Sequence, residues 1–537
     1  MKLNLNSIKN REQWEERGFH LPKYDIELLR AETKANPRWL HFGPGNLFRM
    51  FIARVQDELL DRGLTDTGVI VVESFNADSL DHIFRPHDNL STAVTLKSDG
   101  ALDLRVVGCI AETLKAIQNH EDWQRLTEIF SQDSLEYISC TITEKGYNLL
   151  NHNGDYTPAV QSEMQDPEMY TSNAMGIICL LLYQRYLAGQ YPLTLLSFDN
   201  VSHNGSLFRK AVLAYAEAWT GQGYLEPEFY EYLKDEKKIR FPWSMIDKIT
   251  PGADSSVAQM LKDRGYEDVE GALLDGKPLA PSFVNGEETE YLVIEDSFVN
   301  GKPDWNHGGI IFTDRETVDL AETMKVTTCL NPLHTALAIY GSLLGISKIN
   351  QAVQDKDLLN LIKGVGYKEG LPVVVDPGIL DPQKFLDTVI EERFPNPFLP
   401  DTTQRIATDT SQKIPVRFGN TLKAYAGDKP ELIKDLTFIP AVLAGWLRYL
   451  LAVDDRGNQM ELSPDPMLAS LQAALAEITF GDNSNSEEIL RPILQNEKIF
   501  GLNLAGIALD KKIISYFKFM NAGTGRVRAL LENLERV

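Results

Sequence analysis

Short apolar runs alternate with amphipathic segments through the first half of the chain. Four runs have the length and composition of buried strands: Trp39 to Phe42, Gly68 to Val72, Tyr137 to Thr143 and Leu193 to Ser197. The segments between them show helical periodicity, as from Leu47 to Leu60. Because strands that alternate with helices form parallel sheets, this pattern predicts a doubly wound α/β domain. Two further β-prone runs between Ser91 and Cys109 predict an antiparallel insertion.

The second half of the chain has a different pattern. Beyond about Thr313 strand signals are few, and helical periodicity marks four segments: Ala321 to Leu344, Leu358 to Ile362, Ile433 to Leu451 and Met467 to Ile478. A length of 537 residues also exceeds what one hydrophobic core usually organises. We therefore expect two domains, an α/β domain over residues 1–312 and a mainly α-helical domain over residues 313–537.

The charge of the chain narrows the range of ligands. The net charge is −23, and apolar residues make up 43% of the sequence, as in folded globular proteins. The negative charge argues against a nucleic acid or an anionic membrane as partner, because phosphate binding needs clustered lysine and arginine. We expect a small-molecule ligand, and a chain that is a monomer or a small homo-oligomer.

The cysteines and the most apolar segments indicate where the protein resides. The chain has four cysteines: Cys109, Cys140, Cys179 and Cys329. Their scattered positions predict reduced core residues and supply no set of metal ligands, so no metal is expected. Residues Met1 to Asn10 lack the apolar core of a signal peptide. Gln184 and Arg185 interrupt the most apolar stretch before it reaches membrane-spanning length, and a cytoplasmic protein is expected.

A glycine turn follows the first predicted strand. Gly43-Pro-Gly45 supplies the first two glycines of a dinucleotide-binding fingerprint, where the backbone must approach a pyrophosphate at a helix N-terminus. Phe48 occupies the position of the third glycine, so we expect the helix to pack less closely on the strand. An ordinary strand-to-helix turn is the alternative interpretation. The residues predicted to contact a dinucleotide here are Gly43, Gly45, Asn46, Leu47 and Arg49.

Two acidic residues follow the second predicted strand. An acidic side chain at this place binds the ribose hydroxyls of NAD and repels the 2′-phosphate of NADP. Glu73 and Asp78 both satisfy the spacing, and NAD is therefore the expected cofactor. Either residue could instead be a solvated loop charge, the commoner role of an acidic residue.

The most informative segment is Lys325-Val-Thr-Thr-Cys-Leu-Asn-Pro-Leu-His334, which opens an apolar helix. Asn331 and His334 lie three residues apart on one face of its first turn, where both can point at the same small molecule. The structural alternative is strong for Asn331, because asparagine followed by Pro332 is a good N-cap sequence. A single histidine in this position is also more often structural.

Several ordered motifs together resemble the polyol-specific long-chain dehydrogenases, the mannitol dehydrogenase family. The resemblance covers most of the chain. It rests on these segments: Thr141 to Tyr147, Ser197 to Gly205, Met245 to Pro251, Val293 to Trp305, Lys325 to His334, Glu392 to Pro397 and Ser411 to Pro415. The family architecture is a Rossmann-type dinucleotide-binding domain followed by a largely helical substrate domain, which agrees with the pattern of apolar residues.

The resemblance assigns roles to individual residues. Lys325 matches the catalytic lysine of the family. Asn200, Asn331 and His334 match the groups that orient and polarise the reacting oxygen. Three further residues match positions that line the substrate pocket: Asp247, Arg405 and Lys413.

The sequence also departs from the family pattern. Lys325 and Asn331 are separated by one residue more than in the commonest members, which either shifts the lysine or forms a bulge. Of the His-Arg-Ala-His run that many relatives carry after the glycine turn, only the arginine remains, as Arg49. Lys248 replaces the usual arginine beside Asp247. The chain therefore resembles a divergent branch of the family.

The chemistry that the resemblance implies is metal-independent hydride transfer. Reduction of a ketone places negative charge on its oxygen, so a proton donor and preorganised hydrogen-bond donors are required. Lys325 would supply the proton, and the amides of Asn200 and Asn331 would stabilise the oxyanion. Burial of Lys325 beside a positively charged nicotinamide would lower its pKa and allow the reverse reaction.

The implied substrate is a small open-chain sugar acid. The runs from Ile294 to Trp305 and from Arg393 to Pro397 are most similar to the uronate-reducing members, which interconvert fructuronate and mannonate. Mannitol or another polyol is the alternative substrate. From a different functional class, the chain could be an NAD-binding sensor without activity, and the altered spacing after Lys325 is the argument for that alternative.

Overall fold

The computed structural model describes residues 1–97, 99–151, 153–166, 171–274, 276–399 and 401–534. The chain divides into two compact units, Met1–Asp319 and Leu320–Val537. Among the helices of these described ranges, none has both the length and the hydropathy needed to cross a bilayer.

The first unit is built around a parallel sheet of six strands. The strands of this unit in chain order are β1 (Phe19–His20), β2 (Trp39–Phe42), β3 (Val69–Glu73), β4 (Ser91–Leu96), β5 (Leu102–Val107), β6 (Ile110–Lys115), β7 (Tyr137–Cys140), β8 (Leu193–Ser197), β9 (Ile239–Arg240), β10 (Ser244–Asp247), β11 (Leu273–Leu274), β12 (Lys277–Pro278), β13 (Phe283–Glu287), β14 (Tyr291–Glu295) and β15 (Ile311–Thr313). The order in the main sheet is β6-β3-β2-β7-β8-β9, with every neighbouring pair parallel. The predicted doubly wound sheet is confirmed.

Helices flank these strands. In chain order they are α1 (Arg11–Glu15), α2 (Ile26–Ala35), α3 (Ala53–Asp61), α4 (Ser79–Ile83), α5 (Glu121–Phe130), α6 (Thr143–Tyr147), α7 (Pro158–Gln165), α8 (Ala174–Gly189), α9 (Asn204–Gly221), α10 (Pro227–Lys234), α11 (Ser255–Asp263) and α12 (Arg315–Met324). A π-helical turn over Phe48–Ile52 precedes α3. The boundary between the two units falls within α12.

Alternation along the strands places apolar side chains on both faces of the main sheet. In β2, Leu40 and Phe42 belong to one hydrophobic core and Trp39 belongs to the other. Neighbouring β7 repeats the division, with Ile138 in the first core and Tyr137 in the second. Strands covered on both faces read as continuous apolar runs, which is why the sequence predicted them well.

Three smaller sheets accompany the main sheet in the described part of the first unit, the smallest being the antiparallel pair β11-β12. The predicted antiparallel insertion is confirmed, since β4 pairs with β5 from Ser91–Val107 to Leu96–Leu102. These strands belong to a sheet of order β1-β5-β4-β13. A further sheet has the order β10-β14-β15, and the pairing of β10 with β14 is antiparallel. The sequence did not predict β13 or β14.

The predicted strand from Tyr137 to Thr143 is wrong beyond Cys140. The backbone of Thr143 has a φ of +65°, a left-handed conformation that a β-branched residue rarely adopts. The Asp199 carboxylate accepts hydrogen bonds from the backbone N–H groups of Ile142 and Thr143, at 3.0 and 2.8 Å. These contacts come from a distant part of the chain, so local propensity could not reveal the turn.

A buried arginine explains why charge interrupts the most apolar helix. Arg185 lies in α8 with no exposed surface, and burial lowers its pKa to about 10. Its guanidinium donates hydrogen bonds of 2.7 to 3.0 Å to five carbonyl oxygens, those of Phe130, Gln132, Leu135, Tyr191 and Pro192. The arginine thus connects the C-terminal end of α5 to the residues that immediately precede β7 and β8.

The second unit is mainly helical, as predicted. Its helices after α12 are α13 (Asn331–Leu343), α14 (Ile349–Gln354), α15 (Lys356–Lys363), α16 (Pro382–Thr388), α17 (Thr403–Ala407), α18 (Thr410–Arg417), α19 (Gly419–Asp428), α20 (Phe438–Tyr449), α21 (Leu468–Ala474), α22 (Ser486–Leu494), α23 (Glu497–Phe500), α24 (Asp510–Asn521) and α25 (Arg526–Asn533). Three π-helical turns interrupt the regular helices, over Lys325–Cys329, Gly364–Gly370 and Val389–Arg393.

The helix predicted from Ile433 to Leu451 begins later than expected. Residues Pro430–Asp435 form a 3₁₀ helix, and α20 starts at Phe438. The carboxylate of buried Glu369 accepts hydrogen bonds from the N–H groups of Phe438 and Ile439, at 2.8 and 2.7 Å, and from that of Thr437. A side chain remote in sequence therefore fixes the start of α20 by satisfying its free N–H groups.

Candidate functional site

The glycine turn lies at the point where the strand order of the main sheet reverses. Strand β2 continues to β3 on one side, while β7 lies on the other side of β2, and ligands of doubly wound sheets bind at such a point. Gly43 has a φ of +80°, and a Cβ atom there would overlap the carbonyl oxygen of Thr141. Glycine is thus required at position 43 by the protein itself.

Gly45 is under no such constraint from the protein. The nearest atom to a Cβ placed on Gly45 is the Gly43 carbonyl oxygen, at 3.9 Å. The absence of a side chain there leaves the backbone at the start of the helix approachable, as a pyrophosphate needs. The turn therefore fits a dinucleotide.

Phe48, at the third glycine position, changes how the helix meets the sheet. Its ring stacks on the imidazole of His41, with centroids 3.8 Å apart, and meets the indole of Trp39 edge-on at 6.0 Å. The helix adopts the π-helical turn Phe48–Ile52 at this point. A glycine at position 48 would let the helix backbone pack directly on the strand, whereas the phenyl ring of Phe48 occupies that space.

The residues after the turn contact the protein in different ways. Asn46 donates from Nδ2 to the carbonyl of Pro251 at 3.1 Å and accepts from Arg49 at 3.1 Å. Arg49 is 1% exposed and also donates to the carbonyl of Pro281 at 3.0 Å. Leu47 is partly buried against the core. The cofactor contacts predicted for these three residues stay predictions.

The two acidic residues near the expected ribose differ in their partners. Glu73 ends β3, and its Oε1 accepts hydrogen bonds from the N–H groups of Phe75 and Asn76, at 2.9 and 3.3 Å. Asp78 lies farther along and pairs with Lys115 at 2.7 Å, as does Asp81. These ion pairs raise the pKa of Lys115. Glu73, at the carboxyl end of the strand, is the better placed of the two.

Phe75 is a residue that sequence reasoning missed. Its side chain is 97% exposed, beside the carboxylate of Glu73. Phe75 is the most exposed of the large apolar side chains that the structure describes, and its ring is available to stack on a planar ligand. An aromatic residue two positions after the strand-ending acid was the available signal.

Asn200 lies in the loop after β8 and is exposed. Two buried neighbours hold this loop. Asp199 binds the turn after β7, as described above, and burial raises the pKa of its carboxyl group. The Asn204 amide donates to the carbonyl oxygens of Ser197 and Asp199 at 3.2 and 3.1 Å.

Asn204 also connects this loop to β10. It donates to the backbone carbonyl of Ser244 at 3.1 Å and accepts from the Ser244 N–H at 3.0 Å. Asp247, a predicted pocket residue, ends β10 and is 5% exposed. The amide of Asn204 therefore links the strand that carries Asp247 to the loop that carries Asn200.

In the helical unit, Lys325 is 2% exposed and begins a π-helical turn. The N–H of Leu330 donates to the Lys325 carbonyl at 3.1 Å, five residues back rather than four. The additional residue between Lys325 and Asn331 is therefore accommodated in a turn that holds one residue more than an α-helical turn.

Asn331 is the first residue of α13, and Leu330 rather than Asn331 is at the N-cap. The alternative role for Asn331 as a capping residue is thus not the one observed. Arg417 donates to the Asn331 carbonyl at 3.3 Å and to the Thr335 hydroxyl at 2.6 Å. Arg417 was missed by sequence reasoning, because nothing in the local sequence indicates that α18 reaches the first turn of α13.

His334 lies in a positive electrostatic field. Its pKa is well below the usual value, first because the ring is buried, and then because of four basic side chains: Arg417, Arg405, Arg393 and Lys413. The carboxylate of Asp401 lies 3.4 Å from His334 Nε2. Among the described residues this buried nitrogen has no hydrogen-bond partner. The imidazole is therefore neutral, and its Nε2 can bind a ligand.

The predicted pocket cations Arg405 and Lys413 are both near this ring. Arg405 is 62% exposed and pairs with Asp401. Lys413 donates to the carbonyls of Ile406 and Thr408 at 3.0 and 2.5 Å. Burial and the nearby Arg417 lower the pKa of Lys413 to about 8. The structure thus brings His334, Arg405 and Lys413 together, with Asn331 in the same first turn as His334.

The cysteine thiols Cys109, Cys140, Cys179 and Cys329 are free and buried. Over the ranges that the structure describes, no grouping of three or more histidine, cysteine, aspartate or glutamate side chains suits a metal ion.

Comparison with family models gives two matches. Residues 37–307 match the mannitol dehydrogenase Rossmann domain, and residues 317–516 match the mannitol dehydrogenase C-terminal domain. The two matches cover most of the chain and agree with the parallel sheet and the helical unit.

Individual relatives cover nearly the whole length. The D-mannonate oxidoreductase of Thermotoga maritima is 47% identical, over 99% of each chain. The polyol:NADP oxidoreductase of Gluconobacter oxydans is 30% identical, over 85% of this chain and 87% of the relative. Among solved structures, Pseudomonas fluorescens mannitol 2-dehydrogenase in ternary complex with NAD and D-mannitol is 26% identical, with full coverage of both chains and a TM-score of 0.70.

The two glycines of the turn are expected to respond differently to substitution. Gly43→Ala places a Cβ against the Thr141 carbonyl at positive φ, so the melting temperature should fall and little folded protein should form. Gly45→Ala has room in the protein and should fold normally. It should nevertheless weaken NADH binding about tenfold or more, because its methyl group stands where the pyrophosphate must approach. Thermal melts and NADH fluorescence titrations measure both effects. Unchanged NADH affinity in Gly45→Ala would contradict this assignment of the turn.

Proposed function

The chain belongs to the mannitol dehydrogenase family, and from that premise we propose that it is an NAD-dependent oxidoreductase of the fructuronate/mannonate type. It interconverts a keto-uronate and the corresponding hydroxy acid by hydride transfer. The relative named D-mannonate oxidoreductase, 47% identical over 99% of both chains, supports this substrate class.

The observation that carries the proposal is the positive field at His334. Burial lowers the pKa of this ring most, and four basic side chains lower it further although the Asp401 carboxylate lies 3.4 Å away. A carboxylate-bearing substrate would complement this field, whereas a neutral polyol would gain less from it. Arg405 can hold a carboxylate with two parallel hydrogen bonds, and Lys413 can provide a point contact.

The residues of the first unit fit the cofactor. Gly43, Gly45 and the following helix start would hold the pyrophosphate, and Glu73 would bind the ribose hydroxyls. The exposed ring of Phe75 would lie against the adenine. When bound, the reduced cofactor supplies the hydride.

The remaining roles belong to the side chains that meet the substrate. Lys325 donates a proton to the developing alkoxide in reduction and accepts it in oxidation. The amides of Asn200 and Asn331 stabilise the negative oxygen. Neutral His334 fixes the substrate hydroxyl or the lysine through Nε2. The turn that begins at Lys325 gives the lysine a buried setting, 2% exposed, in which it can exchange a proton.

A polyol such as mannitol is the second candidate substrate. The structural likeness to mannitol 2-dehydrogenase extends over the whole of both chains and favours it. We further propose a dinucleotide-binding domain over residues 1–312, which also contributes Asn200 and Asp247, and a mainly helical substrate and catalytic domain over residues 313–537. A cytoplasmic location and a monomer or small homo-oligomer complete the proposal. The buried free thiols are in keeping with a reducing compartment.

Cofactor preference can be measured directly. With Glu73 at the end of β3 and Lys115 occupied by Asp78 and Asp81, NADH should be preferred over NADPH by about tenfold or more in kcat/KM. Glu73→Gln keeps an oxygen for the two loop N–H groups but removes the charge, so it should narrow the preference. Asp78→Asn serves as the matched control and should change the ratio less. Equal use of both cofactors by the wild-type enzyme would refute the assignment.

Lys325→Ala should lower kcat by about a hundredfold or more, the usual effect of losing a general acid. Lys325→Met, closer in size, should behave alike, and NADH affinity should stay near the wild-type value in both. EDTA should have no effect. Lys363→Ala, at the exposed end of α15, controls for loss of a lysine in this unit. Near-normal turnover of both Lys325 variants would place the acid elsewhere.

The substrate class is tested by NADH oxidation with fructuronate and with fructose. Fructuronate should be reduced far more efficiently, and Arg405→Gln should raise its KM by about tenfold or more, the loss of a charged hydrogen bond of about 1.5 to 3 kcal/mol. Arg405→Gln should affect fructose little. Arg491→Gln is a matched control, since Arg491 is a partly exposed arginine that is also paired with a carboxylate four residues earlier. Equal losses on both substrates, or faster turnover of fructose by wild type, would favour mannitol 2-dehydrogenase activity.

A further inference from the structure

A continuous chain of hydrogen bonds runs beneath the glycine turn through the interior of the main sheet. The Trp39 indole lies 2.8 Å from the Ser139 hydroxyl, which lies 2.7 Å from His41 Nδ1. On the other side of the imidazole, His41 Nε2 lies 3.0 Å from the Thr141 hydroxyl. That hydroxyl lies 2.6 Å from the carbonyl oxygen of Gly43. The chain thus connects a buried tryptophan to the first glycine of the turn.

The two ends of this chain fix its direction. An indole N–H can only donate, and a carbonyl oxygen can only accept. Thr141 therefore donates its hydroxyl hydrogen to Gly43 and must accept from His41 Nε2–H. The Nδ1 atom of a neutral His41 is then an acceptor, and it receives the hydrogen of Ser139, which in turn accepts from Trp39. A single tautomer of His41 satisfies every contact.

The surroundings keep His41 in this state. The ring has no exposed surface and stacks on Phe48 at 3.8 Å between centroids. Burial lowers the pKa of His41 to about 3, so the imidazole is neutral near pH 7. Because β2 and β7 pair in parallel with His41 opposite Ser139, Trp39, His41 and Ser139 lie on adjacent strands of the sheet. Thr141 directly follows the end of β7. The catalytic chemistry proposed above uses neither His41 nor Thr141.

We propose that His41 and Thr141 are positioning residues for the cofactor: the neutral imidazole orients the Thr141 hydroxyl, which holds the Gly43 carbonyl and thereby the peptide planes that face the pyrophosphate. The proposal rests on the proposed dinucleotide role of the turn. The backbone of Gly43 is in a left-handed conformation with no room for a side chain. Without the hydrogen bond from Thr141 the turn keeps this conformation but is held less firmly, and part of the binding free energy is then needed to order it.

Three substitutions separate the positioning role from general stability. Thr141→Val removes the hydroxyl at nearly constant volume, Thr141→Ser retains it, and His41→Phe removes the donor to Thr141. Each protein is titrated with NADH in the absence of substrate, and its melting temperature and kcat at saturating NADH are measured. Thr141→Val should raise the Kd for NADH about three- to tenfold, the factor expected for one net hydrogen bond, with kcat within about twofold. Thr141→Ser should restore wild-type affinity.

A matched control is Thr194→Val in β8, a fully buried threonine of the main sheet, whose hydroxyl accepts from the N–H of Val299. It should lower the melting temperature to a similar degree without changing NADH affinity. In the double variant, the effects of His41→Phe and Thr141→Val on Kd should not add, because both interrupt one chain. If His41→Phe does not fold, the Kd values of Thr141→Val and Thr141→Ser for NADH still test whether the Thr141 hydroxyl has a positioning role.

Two results would overturn the positioning role. One is wild-type NADH affinity in Thr141→Val, and the other is a loss of affinity that Thr194→Val shares. Absence of NADH binding by the wild-type protein would instead overturn the proposed function, so the two failures are distinguishable.

Discussion

The close approach of the glycine turn to the end of β7 is the constraint on which the first unit depends. Gly43 has a φ of +80° and lies so near the Thr141 carbonyl that no side chain fits. This contact lies between the adjacent strands β2 and β7, where the strand order of the sheet reverses. Since the turn is fixed by the protein at Gly43, Gly45 can remain open towards a ligand. The same closeness allows the Thr141 hydroxyl to reach the Gly43 carbonyl at 2.6 Å.

Irregular backbone marks the segments that carry the proposed catalytic and substrate-binding residues. Lys325 begins a π-helical turn, and another ends at Arg393, one of the cations near His334. Turns of this kind cost stability relative to an α-helix and occur frequently at functional sites. In the first unit, Thr143 has a strained φ of +65°, held by the buried carboxylate of Asp199. Strain of this kind persists only where surrounding contacts over-determine it.

Local electrostatics differ from the overall charge of the protein. The chain carries a net charge of −23, yet basic side chains dominate the field at His334. In the low-dielectric surroundings of a buried ring, a few nearby charges outweigh many distant and screened ones. Binding of the proposed anionic substrate would therefore depend on the arrangement around α13 rather than on the composition of the protein.

The sequence by itself determined the elements whose signals are local. Apolar runs buried on both faces gave the strands of the parallel sheet, and the spacing of Gly43 and Gly45 after β2 located the turn. Helical periodicity gave the character of the second unit. Asn331 and His334 could be placed on one helix face from their separation alone.

Only the tertiary structure decided which side chains meet across the sequence. Three contacts show this: Arg417 with the start of α13, Asp199 with the turn after β7, and Glu369 with the start of α20. Each joins residues that are roughly 50 to 90 positions apart and separated by several helices or strands. Such contacts leave no periodic trace, because each depends on how separate elements pack. For the same reason the sequence could not show that Asp78 pairs with Lys115, and it left Glu73 and Asp78 as equal candidates for the ribose. Local periodicity reports burial and secondary structure, whereas the partners of polar groups are set by packing between elements.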